Sequence, residues 1–150
     1  MIELQDVYQV YNEGGTHALN GISLKIDDGE FVFVVGPSGS GKSTIIKLLS
    51  AELRPTQGRV HVNGFEIENI RHKDIPYLRR TIGVVYQDFR LIDNKTVYEN
   101  VAFVMRAVGA PQRIIKKRVP YVLELVGLKN KSRRFPHQIS GGEQQRVAIA

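Results

Sequence analysis

Ile2 and Leu4, then Ile22, Leu24 and Ile26, alternate with polar neighbours, the two-residue period of strands buried on one face. Turn-forming residues at 12–15 and at Asp27-Asp28-Gly29 bound these runs, which predicts an opening antiparallel β layer. Phe31-Val32-Phe33-Val34-Val35 breaks the alternation: it is apolar throughout and β-branched or aromatic, as in a strand covered on both faces of a parallel sheet. A central strand is expected there. It runs into Gly36-Pro37-Ser38-Gly39-Ser40-Gly41-Lys42-Ser43-Thr44, after which Ile45, Leu48, Leu49 and Leu53 recur at helical spacing up to Arg54-Pro55.

Val60 and Val62 precede Asn63-Gly64, a dipeptide suited to a two-residue hairpin turn, with Phe65 and Ile67 on the return strand. Residues 82–87 read as another apolar strand. Thr96 and Glu99 have capping-box spacing, and Val97, Val101, Val104, Met105 and Val108 form one apolar stripe closed by Gly109. Ile115, Val119, Val122 and Val126 predict a further helix ending at Gly127, which Pro120 should kink or delay. Ser140 opens a last helix with no stop signal by Ala150. The expected fold is α/β: an antiparallel β layer, a parallel core sheet and a helical subdomain.

Composition narrows the function classes. The chain of 150 residues has no cysteine, which removes thiolate zinc sites and thiol nucleophiles. No apolar run exceeds five residues, against the ~20 that span a bilayer, and the acidic N-terminus lacks the form of a secretory signal. Charge is uneven: residues 1–50 hold 3 basic and 6 acidic side chains, residues 51–150 hold 18 and 9. Within residues 113–134 eight cations face the single acid Glu124. That run reads as a solvated face, or as a surface for phosphates, an anionic membrane or an acidic partner. No stacking aromatics interleave it, which weakens a nucleic-acid role. His17, His61, His72 and His137 lack metal-ligand spacing and read as structural or surface residues.

Gly36, Gly41, Lys42 and Ser43 fit a phosphate-binding loop between a buried strand and a helix. Its glycines let backbone N–H groups point inward around a polyphosphate, and the helix N-terminus favours an anion. Lys42 can reach the β and γ phosphates of ATP, Ser43 can ligate Mg²⁺, and Thr44 supports the helix start. Ser140-Gly141-Gly142-Glu143 is a second capping box, carrying two poor helix formers. Composition leaves a plain cap and an anion site both open there.

Residues 36–44, Gln87 after an apolar strand, and Ile139-Ser140-Gly141-Gly142-Glu143-Gln144-Gln145-Arg146 together resemble the ATP-binding domain of ABC proteins, in order and approximate spacing over the whole chain. Ile139 stands where the family usually has leucine. Tyr86-Gln87-Asp88-Phe89-Arg90-Leu91 and the segment to Val101 resemble the FtsE-type cell-division ATPases, whose membrane partner is FtsX. ATPases of lipoprotein-release and macrolide-exporter type are the alternative.

The resemblance implies site roles. Tyr11 would stack on adenine, Gln87 would approach Mg²⁺ and the attacking water, and Ser140, Gly141, Gly142 and Glu143 would form the signature that meets the γ phosphate of an opposite subunit. A head-to-tail homodimer holding two ATP molecules would follow, peripheral on the inner face of a bacterial membrane through an FtsX-like integral partner. The implied organisation is a partial cassette: β layer and loop core over 1–87, helical subdomain and signature over 88–145, and a return to the core over 146–150. The family's Mg²⁺-supporting aspartate, catalytic glutamate and loop histidine are expected beyond Ala150. If 150 residues were the mature length, the chain would be a nucleotide-binding module without hydrolysis.

Overall fold

The N-terminal alternation becomes paired strands in the computed structural model, which describes residues 1–11 and 15–150. Strands β1 (Ile2–Tyr11) and β2 (Thr16–Ile26) run antiparallel, with Ile2 opposite Ile26 and Leu4 opposite Leu24. Strands β3 (Gln57–Val62) and β4 (Phe65–Glu66) complete a sheet in the order β2-β1-β3-β4. Asn63 and Gly64 both take positive φ, 47° and 91°, as the tight hairpin turn requires. The turn expected at 12–15 lies, apart from Gly15, outside the described residues.

Strand β1 carries an irregularity that fixes a glycine across from it. Its register with β2 slips between Leu4 and Val7, where Asp6 takes φ 46° and its N–H donates to Ser23 Oγ at 2.9 Å. Gly58 of β3 has φ 88°, and a Cβ there would lie 2.2 Å from the Asp6 carbonyl oxygen. Only glycine fits that close approach.

One compact unit comprises residues 1–83. Helix α1 (Lys42–Leu49) lays Ile45 and Leu48 into a core with Leu4, Val7, Leu19, Val60 and Val62. It stops at Ser50, and Ala51 follows at φ 50°, so Leu53 joins the core from beyond the helix rather than on its stripe. Short helix α2 (Ile75–Arg79), which the pattern did not predict, buries Leu78 and sends the Arg79 Nε–H to the Ser50 carbonyl at 3.0 Å.

Two expected strands are not formed. Residues 31–35 have no ladder partner among the described residues, and Phe31 and Val35 are 83% and 86% exposed; residues 82–87 also run unpaired. The physical reason is non-local. A parallel strand exists only with neighbours that take its N–H and C=O groups, and the four described strands pair among themselves.

The second unit, residues 84–150, is helical. Helix α3 (Val97–Ala107) starts at the Thr96/Glu99 capping box. Its buried residues are Val97, Asn100, Val101 and Ala102, and Met105 packs against the same core, while Val104, to one side of Met105, and Val108, already the C-cap, are exposed. Helix α4 (Gln112–Leu125) runs through Pro120 and so does not start late. Leu123 is buried where the periodicity favoured Val122. Gly127 at φ 71° closes it, and the Leu128 N–H donates to the Leu123 carbonyl at 2.7 Å. Two short 3₁₀ turns, Lys129–Lys131 and Pro136–Gln138, lead to α5 (Gly141–Ile149).

Candidate functional site

The glycine loop folds around its own lysine. Lys42 Nζ donates to the Gly36 carbonyl at 2.8 Å, the Pro37 carbonyl at 2.7 Å and Ser40 Oγ at 3.1 Å. The Ser40 N–H closes the turn onto the Pro37 carbonyl at 3.3 Å. All three acceptors are neutral, so the loop holds the ammonium in place without cancelling its charge.

The start of α1 is equally open to an anion. Gly41 is its N-cap, with no side-chain cap bond, and its first turn holds no acidic residue. The first-turn N–H groups therefore keep their donor capacity and partial positive charge. Gly41 takes φ 87°, and a Cβ there would lie 2.5 Å from the Ala18 carbonyl oxygen and 2.7 Å from Leu19 Cδ2. Gly39 takes φ 81° with nothing within 4 Å of such a Cβ. Crowding against β2 thus fixes one glycine, and backbone conformation alone fixes the other. The Ser43 side chain is exposed and makes no hydrogen bond with another described residue, so its oxygen is available to a hard cation. This donor set fits a magnesium-bound polyphosphate.

The fold brings Tyr11 to the same place. Its hydroxyl lies 3.2 Å from Oγ1 of buried Thr44, and Lys47 Nζ sits 6.0 Å from its ring centroid. Residues 36–44 and Tyr11 therefore form one constellation within the first unit, whereas Gln87 and residues 140–143 belong to the second. A separate hollow of about 530 Å³, lined by Phe65, Asn69, Arg71 and Asp74 among others, shares no residue with the loop.

Gln87 stands exposed in a turn closed by the Phe89 N–H on the Tyr86 carbonyl at 3.1 Å. Phe89 and Arg90 both take left-handed backbone, φ 57° and 48°, and the Arg90 guanidinium stacks 3.6 Å from the Tyr86 ring centroid. Downstream, buried Asn100 holds the next loop: its Oδ1 accepts from the Ile92 N–H at 2.7 Å, and its amide donates to the carbonyls of Ile92, Lys95 and Thr96. Sequence reading passed over Asn100, since an asparagine on a helix face carries no mark of the loop it will tie down.

At the start of α5, Ser140 Oγ accepts from the Glu143 N–H at 3.4 Å, and Glu143 Oε2 accepts from the Ser140 N–H at 3.0 Å. The second carboxylate oxygen accepts from Lys131 Nζ at 2.5 Å. Lys131 and then the Ser140 N–H hold the Glu143 carboxyl at about 2, well below its ordinary 4.5. Lys131 had been part of the charge run; its role depends on a turn that returns it to Glu143. Buried Ile139 anchors the segment, so a branched aliphatic of leucine's volume keeps the packing. Gly141 and Gly142 differ in kind from these anchors. A Cβ at either would meet nothing within 4 Å, so internal packing does not require glycine there.

Comparison with known proteins follows the same lines. The family described as ABC transporter matches residues 19–150. The cell division ATP-binding protein FtsE of Bacillus subtilis is 55% identical over 150 residues, covering 100% of this chain and 65% of that protein. Its Mycobacterium tuberculosis counterpart is 52% identical with the same coverage. The methionine import ATP-binding protein MetN of Helicobacter pylori is 43% identical, with 46% of its length covered. Among solved structures, the dimeric post-hydrolysis ATP-binding cassette MJ0796, bound to ADP and Pi, superposes with a TM-score of 0.87 at 36% identity. That match covers 99% of this chain and 67% of the other. The chain thus spans 65% of the length of its FtsE relatives from Bacillus subtilis and Mycobacterium tuberculosis.

Proposed function

The chain belongs to the ABC transporter family, and from that premise we propose that the full-length protein carrying it is an FtsE-type ATPase. In this reading it uses Mg·ATP to drive conformational change in an FtsX-like membrane partner during cell division. One observation carries it: a lysine ammonium held by neutral acceptors at an uncapped, glycine-led helix start, beside a free serine hydroxyl. Similarity to FtsE proteins over the whole chain supports the cell-division assignment.

Bound ATP supplies the phosphoanhydride whose terminal P–O bond breaks as a water oxygen bonds to the γ phosphorus, releasing ADP and phosphate. Around that reaction the residues of this chain position and neutralise charge. Backbone N–H groups of residues 38–44 surround the phosphates, and Lys42 exchanges a loop carbonyl for β and γ oxygens. Ser43 and Gln87 are assigned to Mg²⁺, with Gln87 also orienting the attacking water. Tyr11 offers its ring to adenine, while its hydroxyl holds it against α1.

Gly141 and Gly142 carry the dimer part of the proposal. Glycine is a poor helix former, and at both positions an added Cβ would meet nothing within 4 Å, so packing gives no reason for glycines there. Their bare amides suit a γ phosphate presented by a second subunit in a head-to-tail dimer. The uncharged run 31–35 is assigned to the core sheet of the cassette, paired by strands outside these 150 residues. The assigned location is peripheral on the inner membrane face; no helix among the described residues is long and apolar enough to cross a membrane.

The test is Mg²⁺-dependent ATP turnover by the full-length protein with its membrane partner. Lys42→Ala should abolish turnover, and Gly142→Ala should reduce turnover while leaving ATP binding to the isolated subunit intact. Turnover that survives Lys42→Ala would overturn the assignment.

A further inference from the structure

Helix α4 has two apolar faces, and the core uses only one. Ile115, Val119 and Leu123, spaced four apart, are buried in the second unit. Ile114, Tyr121 and Leu125 point the opposite way: at 3.6 residues per turn they fall within one narrow stripe across the helix from the buried residues. They are exposed to 42%, 50% and 67%.

Cations flank that outward stripe. Lys117 lies on one side and Arg118 on the other, with Arg118 5.2 Å from the Tyr121 ring centroid; Arg113 lies further round, beyond Lys117. None of these three makes an ion pair among the described residues, and the helix's one acid, Glu124, pairs with Lys129 at 2.9 Å. The positive charge of this face is uncompensated.

Two of the exposed apolar features differ in a way that sorts their partners. Residues 31–35 carry no charge and suit burial inside a protein core. The α4 face does not, because enclosing its unpaired cations would incur a large desolvation cost. A convex ridge with apolar side chains outermost and long basic side chains at both margins matches an anionic lipid surface: the apolar residues enter the headgroup boundary while the cations reach the phosphates.

We propose that the outward face of α4, through Ile114, Tyr121 and Leu125 with Lys117 and Arg118, binds directly to anionic phospholipid headgroups. The contact does not depend on the nucleotide site and adds to any anchoring through a membrane partner.

The experiment is flotation of the full-length protein, without a membrane partner, on vesicles of phosphatidylglycerol and phosphatidylcholine in equal parts, with pure phosphatidylcholine as control. The protein should float with the anionic vesicles and not with the control. Each cation near an anionic surface contributes about fivefold in affinity, so K117E/R118E should weaken binding about 25-fold or more. The variant I114S/Y121S/L125S, whose changes fall on exposed positions, should weaken it about tenfold. Circular dichroism and ATP binding on the same samples separate lost lipid contact from lost folding or a failed nucleotide site. Four results would each overturn the proposal: no flotation, equal flotation on both vesicles, insensitivity to either variant, or retention by poly-glutamate or duplex DNA in preference to the vesicles.

Discussion

Gly39 and Gly41 sit two residues apart in the same loop, at φ 81° and 87°, yet their surroundings differ. Alanine at either position must adopt left-handed backbone, at a cost of about 1–2 kcal/mol. At Gly39 the cost ends there, because an added Cβ meets nothing within 4 Å. At Gly41 the same atom lies 2.5 Å from the Ala18 carbonyl oxygen and 2.7 Å from Leu19 Cδ2. The leucine can rotate, but the carbonyl is backbone of β2, set between the pairs Gln9–Leu19 and Val10–His17, and has less room to move. Relief of such an overlap adds about 1–3 kcal/mol. Gly41→Ala should therefore destabilise the protein by about 2–5 kcal/mol, and Gly39→Ala by about 1–2 kcal/mol. The assay is urea unfolding of the full-length protein without nucleotide, so that phosphate contacts do not enter. Equal losses for the two variants, or a larger loss at Gly39, would refute the steric argument.

Asn100→Ala leaves the Ile92 N–H without its only described acceptor and removes three donations to loop carbonyls. A loss of about 2–4 kcal/mol is expected in urea unfolding, and less than about 1 kcal/mol would contradict the anchoring role. Glu143 supplies a pH signature. Its carboxyl is depressed from 4.5 to about 2 in the folded state, so its stabilising contribution is complete above pH 4.5 and is lost as pH falls towards 2. Carboxyl-carbon NMR should place its titration near 2, and Lys131→Ala should move it upward. A Glu143 that titrates near 4.5 in the unaltered protein would contradict the pairing.

Local chemistry was legible in the sequence. The Thr96/Glu99 and Ser140/Glu143 boxes and the Asn63-Gly64 turn each depend on residues within a few positions of one another, and each forms as expected. The glycine turn and the helix it opens were legible for the same reason, since the glycines, lysine and serine are contiguous. Features that depend on distant partners were not. The composition of residues 31–35 suits a buried strand, but composition cannot supply the neighbouring strands that make one. The periodicity grouped Val104 with Met105, but which side of α3 the core takes decides that Met105 packs and Val104 does not. Lys131 was indistinguishable from the other cations of its run until a turn brought it to Glu143, and Tyr11 gained its contact with Thr44 only through the packing of β1 against α1.

The central claim is that residues 36–44 bind the phosphates of ATP, with Lys42 as the principal charge. Calorimetric titration of Mg·ATP into the full-length protein and its Lys42→Ala variant tests it directly. A charge-assisted contact contributes about 1.5–3 kcal/mol, so the variant should bind about 10- to 150-fold more weakly. Affinities that agree within about twofold, well below the range such a contact sets, would contradict the account.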